Sequence, residues 1–271
     1  MNIDEKTNLC GSIAIKQSNL GSVMHNTAYG SLGVNFLYMP FTVSDCENAV
    51  KGIRALNIRG SSVSMPYKQE VIKYLDKLDP IAKEIGAVNT IVNDNGVLTG
   101  FNSDWIGAME ALKEVSKLEN KKVIMIGAGG AARAIAYGLK INKAETTIFN
   151  RTKEKARYLA KEFHLKYGGG INEIKKVNDY DILINATSVG FVPDEKDSVL
   201  SLDEIKENKI VMDVVINPMI TPFLSYAQKK NCKIISGYRM LIYQALFQIE
   251  KYSGKKTKFK VLEKALLEEL K

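Results

Sequence analysis

The stretch Lys122-Val-Ile-Met-Ile-Gly-Ala-Gly-Gly-Ala-Ala-Arg133 decides the fold. Val123 to Ile126 is an unbroken apolar run, the pattern of a strand covered on both faces. Gly127, Gly129 and Ala132 then match G-x-G-x-x-G/A, and the residues to about Ile141 are Ala-rich and favour helix. Strand, glycine turn and helix in that order give the motif its meaning. Gly127 permits the tight turn, Gly129 lets the backbone approach a pyrophosphate, and Ala132 lets helix pack closely on strand. The first helical N–H groups, from Gly130 and Ala131 onward, face an anion together with the helix dipole. The stretch therefore predicts a dinucleotide site.

The next strand selects the dinucleotide. Thr146 to Asn150 reads as that strand, ending about 20 residues after the glycines, where a chain that binds NAD places Asp or Glu for the ribose hydroxyl. Here the residues are Asn150-Arg-Thr-Lys153, with Lys155 just beyond. A carboxylate would repel a 2′-phosphate, whereas Arg151 can pair with one through two donors and stack on adenine. Thr152 can cap the following helix and donate to the phosphate. Lys153 and Lys155 also fit a solvated basic helix start. The expectation is NADP.

Composition excludes several classes. The chain has 271 residues, 45% hydrophobic and 25% charged, ordinary values for one large domain or two modest ones. No window approaches the roughly 18 consecutive apolar residues of a membrane helix. The opening Met-Asn-Ile-Asp-Glu-Lys lacks the basic-then-apolar pattern of a signal peptide. Cys10, Cys46 and Cys232 are scattered and odd in number, which suits a reducing cytoplasm. With His25 and His164 they form no usual zinc pattern, so no metal is expected. The net charge of +8 comes from lysines spread along helices and gathered near the C-terminus. It carries no nucleic-acid motif and fits a surface that attracts anionic small molecules.

Taken in order, Leu9–Ile15 reads as a strand, Ser22–Leu32 as a helix and Val34–Phe41 as a second strand. Ser44-x-x-Glu47 reads as a capping box opening a helix with Val50, Ile53 and Leu56 on one face. A third strand begins at Ile58 and stops before Pro66, leaving Lys68 near the next helix start. Asp94-Asn-Gly96 joins Ala87–Thr90 and Val97–Asn102 as a hairpin. Trp105–Lys117 is expected to be helical. Asp181–Ala186 and Ile210–Val215 read as further buried strands, Thr221-Pro222 as a helix start, and Tyr238–Tyr252 as a long helix returning to the first domain.

Over nearly its full length the chain resembles the shikimate/quinate dehydrogenase family, and in particular its shikimate dehydrogenase-like branch. The matching stretches are His25-Asn26, Val63-Ser-Met-Pro-Tyr-Lys68, Gly86-Ala-Val-Asn-Thr90, Asn102-Ser-Asp104 and Gly127-Ala-Gly-Gly-Ala131. They continue with Asn150-Arg-Thr152, Asn185-Ala-Thr-Ser188, Thr221-Pro-Phe223 and Gly237 to Gln244. The resemblance implies an α/β fold of two domains with an active-site cleft between them. One is an N-terminal α/β substrate domain over residues 1–104, completed by 238–271. The other is a Rossmann-type NADP-binding domain over 105–237. It also implies hydride exchange between NADP(H) and shikimate, or a related cyclic hydroxy acid such as quinate, in a cytoplasmic monomer or homodimer.

By the same resemblance Lys68 and Asp104 match the catalytic pair. Ser64, Asn89 and Gln244 match substrate contacts, and Asn150, Arg151 and Thr152 match the adenosine-phosphate clamp. Thr187, Ser188, Val214 and Gly237 fall where the family lines the nicotinamide side. A lysine with lowered pKa can shuttle the hydroxyl proton, and a charged one can donate to the oxygen.

The chain also departs from the family. Family members hold the substrate carboxylate with Ser-x-Ser before Pro and the His-Asn pair. Aligned on His25-Asn26, those serines fall at Asn19 and Gly21, with Ser22 in place of Pro; Ser18 or Ser22 compensates only if the loop shifts. Ser64 stands for the usual Thr, Ser62 for an Asn, and Ile216 for a substrate-binding Tyr. These departures keep open a Rossmann reductase for a different hydroxy acid, or a non-catalytic NADP(H)-binding module. His25 reads as packing or hydrogen bonding inside its helix.

Overall fold

The computed structural model describes residues 3–191 and 196–271. The chain divides into two compact units, Met1–Ser103 with Ile242–Lys271, and Asp104–Leu241.

The first unit is built on a six-stranded mixed sheet. Its strands are β1 (Asn8–Ala14), β2 (Phe36–Thr42), β3 (Gly60–Val63), β4 (Lys77–Leu78), β5 (Thr90–Asp94) and β6 (Val97–Phe101), in spatial order β2-β1-β3-β5-β6-β4. β1 runs parallel to β2 and β3, whereas β5 is antiparallel to β3 and β6. The β5–β6 turn is the expected hairpin, although its first strand is Thr90–Asp94 and not Ala87–Thr90: Asn95 (φ 53) and Gly96 (φ 89) both adopt the left-handed conformation that a tight two-residue connection needs.

Helices α1 (Leu20–Leu32), α2 (Cys46–Ala55) and α3 (Pro80–Ile85) complete this part of the chain. Cys46, Val50 and Ile53 form the buried stripe of α2 and join a core with Ile13, Val63, Val71, Ile91 and Leu98, whereas Leu56, expected on the same face, falls at the C-cap and is exposed. The start of α2 differs from the sequence expectation. Asp45, not Ser44, is the cap, and its carboxylate accepts from Asn48 N at 2.8 Å. A carboxylate one residue nearer the helix reaches the orphan N–H and complements the dipole. β4 and α3 were not anticipated, being too short to show periodicity. α3 is set by local chemistry: Asp79 caps Ile81 and Ala82, Pro80 opens the first turn, and Gly86 closes it at φ 68.

The second unit carries β7 (Lys122–Ile126), β8 (Glu145–Phe149), β9 (Lys166–Gly169), β10 (Ile182–Asn185), β11 (Ile210–Asp213) and β12 (Lys233–Ile235). All pair in parallel, in the order β12-β11-β10-β7-β8-β9. This is the doubly wound order, in which the chain starts centrally, winds one way through β8 and β9, then returns to wind the other way. Val123, Ile126, Leu183, Ile184, Val211 and Met212 are fully buried, as a sheet covered on both faces requires. Its helices are α4 (Asp104–Lys113), α5 (Gly130–Ile141), α6 (Lys153–Phe163) and α7 (Pro222–Lys229). α4 ends at Lys113 rather than Lys117, because Val115 N and Ser116 N both turn back to Leu112 O. Thr221 caps α7 as expected, accepting from Leu224 N at 3.2 Å.

The long helix α8 (Gly237–Ser253) belongs to the first unit from Ile242 onward, and α9 (Phe259–Glu269) packs there on α1. α9 was not anticipated among the C-terminal lysines.

Candidate active site

In the second unit, the residues matched to cofactor binding all follow the carboxyl ends of parallel strands, beside the β7/β10 switch point where doubly wound sheets take ligands. Gly127 follows β7 at φ 126, and a Cβ there would lie 2.7 Å from Ala186 O. Gly129, exposed at the α5 N-cap, is different: a Cβ there would meet no protein atom. Packing therefore gives no reason for its missing side chain. Gly130 and Ala131 open α5. The turn fits a pyrophosphate, with backbone N–H groups at the start of α5 to receive it.

After β8, Asn150 Nδ2 donates to Thr152 O at 2.9 Å and pins the bend. Arg151 is exposed and makes no hydrogen bond or ion pair among the described residues. Thr152 sits at the N-cap of α6, but its hydroxyl makes no capping bond; the first turn closes through Lys155 N and Thr152 O instead. Lys153 is tied to Glu173 at 2.7 Å, which accounts for that lysine without a ligand.

A buried network organises the ends of β10 and β11. Asn185 Nδ2 donates to Asp213 Oδ1 at 3.0 Å, and Thr187 N and Oγ1 donate to Asn185 Oδ1 at 3.0 and 2.7 Å. Asp213 also accepts from Val215 N at 3.0 Å and Thr221 Oγ1 at 2.6 Å. Burial pushes the Asp213 carboxyl up to about 6, against the opposing pull of these donors. Val214 N bonds Asn185 O, and a Cβ on Gly237 would stand 2.5 Å from Val214 O, so Thr187, Val214 and Gly237 lie close together. Ser188 is exposed in the same turn. Asp213 was passed over in the sequence; an acid ending an otherwise apolar strand was the available signal.

In the first unit, Ser64 follows β3, and its N–H donates to Ile13 O at 3.0 Å. Lys68, half-buried, is held by its carbonyl, which accepts from Val88 N at 2.7 Å. Asn89 is 2% exposed and binds Gln244 of α8, Nδ2 to Oε1, at 3.0 Å. Asn89 Oδ1 accepts from Ser103 N at 2.7 Å. Asp104 follows at once in the chain, buried at the first position of α4, where the helix dipole favours a carboxylate. Lys68 thus falls in the first unit, and Asp104 opens the second.

Two of the departures lie at the start of α1. Asn19 occupies the N-cap position in helical conformation, exposed and without a capping bond. Gly21 faces Tyr38: a Cβ there would be 3.3 Å from the ring. Tyr38 stacks on His25 with centroids 4.0 Å apart, and His25 Nδ1 donates to Gly21 O at 2.9 Å. Burial lowers the His25 pKa to about 4, so the ring is neutral near pH 7 and serves packing.

A doubly wound sheet with a glycine turn open to a ligand, joined to a mixed α/β unit, defines a two-domain protein of the dinucleotide-binding class. Residues 13–91 match the shikimate dehydrogenase substrate binding domain, and residues 109–231 match shikimate / quinate 5-dehydrogenase. The chain belongs to the shikimate dehydrogenase family. It is 41% identical to the shikimate dehydrogenase (NADP(+)) of Methanococcus maripaludis strain C6, over 97% of this chain and 98% of that one. It is 39% identical to a shikimate dehydrogenase-like protein of Haemophilus influenzae, over 93% and 92%. A crystal structure of a shikimate dehydrogenase in complex with NADP+ superposes with a TM-score of 0.94 at 35% identity, covering 100% of this chain and 98% of that one.

Proposed function

We propose that the protein is an NADP-dependent oxidoreductase that interconverts shikimate and 3-dehydroshikimate, or a related cyclic hydroxy acid such as quinate. The observation that carries this reading is the Asn89–Gln244 bond, in which two amides 155 residues apart meet beside Ser103. Amides held in this way can exchange hydrogen bonds with ring hydroxyls. The relatives supply the reaction: they include proteins named shikimate dehydrogenase (NADP(+)).

In this proposal residues 1–104 and 238–271 bind the hydroxy acid, and 105–237 bind the dinucleotide. Ser64, Asn89 and Gln244 hold the substrate, with Asn19 and Gly21 at its carboxylate end. Lys68 and Asp104 handle the proton of the reacting hydroxyl. Gly127, Gly129, Gly130 and Ala131 receive the pyrophosphate, Asn150, Arg151 and Thr152 the adenosine phosphate, and Thr187, Ser188, Val214 and Gly237 the nicotinamide. Bound NADP supplies the hydride chemistry. The free thiols Cys10, Cys46 and Cys232 support a cytoplasmic setting, where we propose a monomer or homodimer. Among the described residues, no helix is long and apolar enough to cross a membrane.

Glycine at position 21 and Ile216 in place of the family Tyr favour a second reading, a different hydroxy acid. The test is a panel of ring hydroxy acids with NADP, followed as absorbance of the reduced cofactor. Turnover of shikimate or quinate supports the first reading, and selective turnover of another acid the second. Cofactor binding without turnover of any acid indicates a non-catalytic module.

A further inference from the structure

A line of hydrogen bonds crosses the first unit and ends at Asn89. Tyr38 OH bonds Ser62 Oγ at 2.8 Å, and Ser62 Oγ bonds Gln248 Oε1 at 3.1 Å. Gln248 Nε2 reaches Thr90 Oγ1 at 3.1 Å and Asn89 O at 3.4 Å. Thr90 Oγ1 donates to Asn89 Oδ1 at 2.9 Å, and Asn89 Nδ2 donates to Gln244 Oε1 and Ser103 Oγ, each at 3.0 Å. Asn89, Thr90, Ser103 and Gln248 are all buried.

The direction of these bonds follows from groups that can act in one way only. Ser103 N–H only donates, so the amide atom it meets is the oxygen of Asn89. The Asn89 carbonyl only accepts, so the end of Gln248 facing it is nitrogen. Gln248 therefore offers its oxygen to Ser62, and the Ser62 oxygen accepts from Tyr38. Thr90 accepts from Gln248, which turns its own O–H onto Asn89 Oδ1. The Asn89 oxygen is left facing Ser103 N, Thr90 Oγ1 and, at 3.2 Å, Ser103 Oγ, with its NH2 turned toward Gln244 and Ser103 Oγ.

We infer that Gln248 is a positioning residue for substrate recognition. Through Thr90 it reinforces the Ser103 N–H in holding the Asn89 oxygen, so that Asn89 presents its NH2 and a substrate oxygen meeting it must accept. The inference rests on the reading that Asn89 and Gln244 contact the hydroxy acid. The network couples that contact to two positions where the chain departs from its family. Ser62 is one of them, and Tyr38, which occupies the space beside Gly21, adjoins the other. Gln248 lies one helical turn beyond Gln244 on α8.

Gln248→Met keeps the volume and removes both polar atoms. Gln248→Glu keeps an acceptor for Ser62 but has nothing to donate to Thr90 or the Asn89 carbonyl. Steady-state kinetics with NADP and shikimate, or quinate where that is faster, are measured beside Asn89→Ala. Both Gln248 variants are expected to raise KM for the acid about tenfold, the factor carried by one neutral hydrogen bond, with kcat and KM for NADP near parent values. Ser62→Ala, which cuts only the upstream link, should raise it less. Unchanged acid KM in the Gln248 variants, with a raised value in Asn89→Ala, overturns the inference and leaves the site reading intact. A parallel loss of kcat, both KM values and thermal stability overturns it in favour of a packing role. An unaffected Asn89→Ala, or a parent protein that turns over neither acid, overturns the site reading and the inference with it.

Discussion

The carbonyl oxygen of Ala186 lies 2.7 Å from where a β-carbon on Gly127 would stand, whereas a β-carbon on Gly129 would meet no protein atom. The two glycines of the turn therefore answer to different constraints. Gly127 serves the fold, through positive φ and the approach of β10 to β7, whereas no protein contact constrains Gly129, which fits its proposed place against the dinucleotide.

Alanine separates them. Gly127→Ala should lower the melting temperature, because the backbone strain alone costs on the order of 1–3 kcal/mol. Gly129→Ala should leave melting unchanged and raise KM for NADP. Calorimetry and steady-state kinetics on both variants check this. A destabilised Gly129→Ala with normal NADP kinetics would contradict the assignment.

Arg151 is exposed at the end of β8 with no partner among the described residues, so its removal should cost the fold little. If it pairs with the 2′-phosphate, Arg151→Ala loses a charge-assisted contact of about 1.5–3 kcal/mol, or roughly tenfold to more than a hundredfold in KM for NADP. KM for NAD should not change. Equal losses for both cofactors would make Arg151 structural.

Asp213 predicts a pH dependence of stability. Its carboxyl is raised from 3.8 to about 6 in the folded chain. Between those values the native state holds a proton that the unfolded chain has released. The Asp213 contribution is therefore full below about pH 4 and is lost as pH rises through about 6, by on the order of 2–3 kcal/mol. Asp213→Asn removes this titration. Urea unfolding at pH 4 and pH 7 should thus change less in the variant than in the parent on the low-to-high pH comparison, in the direction of lost stability. Identical changes would exclude Asp213 as the source.

The parallel sheet was legible because buried parallel strands are written as continuous apolar runs, and β7, β10 and β11 each carry one. The hairpin was legible because Asn95 and Gly96 tolerate positive φ. β4, β9 and β12 were not: β4 and β12 have two and three residues, and β9, Lys166-Tyr-Gly-Gly169, carries no apolar run. The α2 cap was misread by one residue because Ser44 and Asp45 are both good caps and only geometry separates them. Asn89 and Gln244 were visible as motif residues. Their bond to each other, and the line through Gln248, Ser62 and Tyr38, join positions far apart in sequence whose polar character alone carries no address.

The carboxylate end offers a gain-of-function prediction. Two serine hydroxyls in place of Asn19 and Gly21 would add short donors to a bound carboxylate, each worth about 1–3 kcal/mol where a contact is otherwise unmade. Asn19→Ser is unobstructed, since Asn19 is exposed and caps nothing. Gly21→Ser brings a β-carbon 3.3 Å from the Tyr38 ring, which must yield slightly. The double variant should raise kcat/KM for shikimate. If the parent is already fast and the double variant slower, Ser18, Ser22 or another group holds the carboxylate.

The central claim is that the protein oxidises a ring hydroxy acid with NADP through Lys68. Its most direct test is the initial rate of reduced-cofactor formation from shikimate and NADP, for the parent and Lys68→Ala side by side. The account predicts steady turnover by the parent and a loss of about 10²–10⁴-fold in the variant, with NADP affinity preserved. A Lys68→Ala protein that reduces NADP at near the parent rate would contradict it.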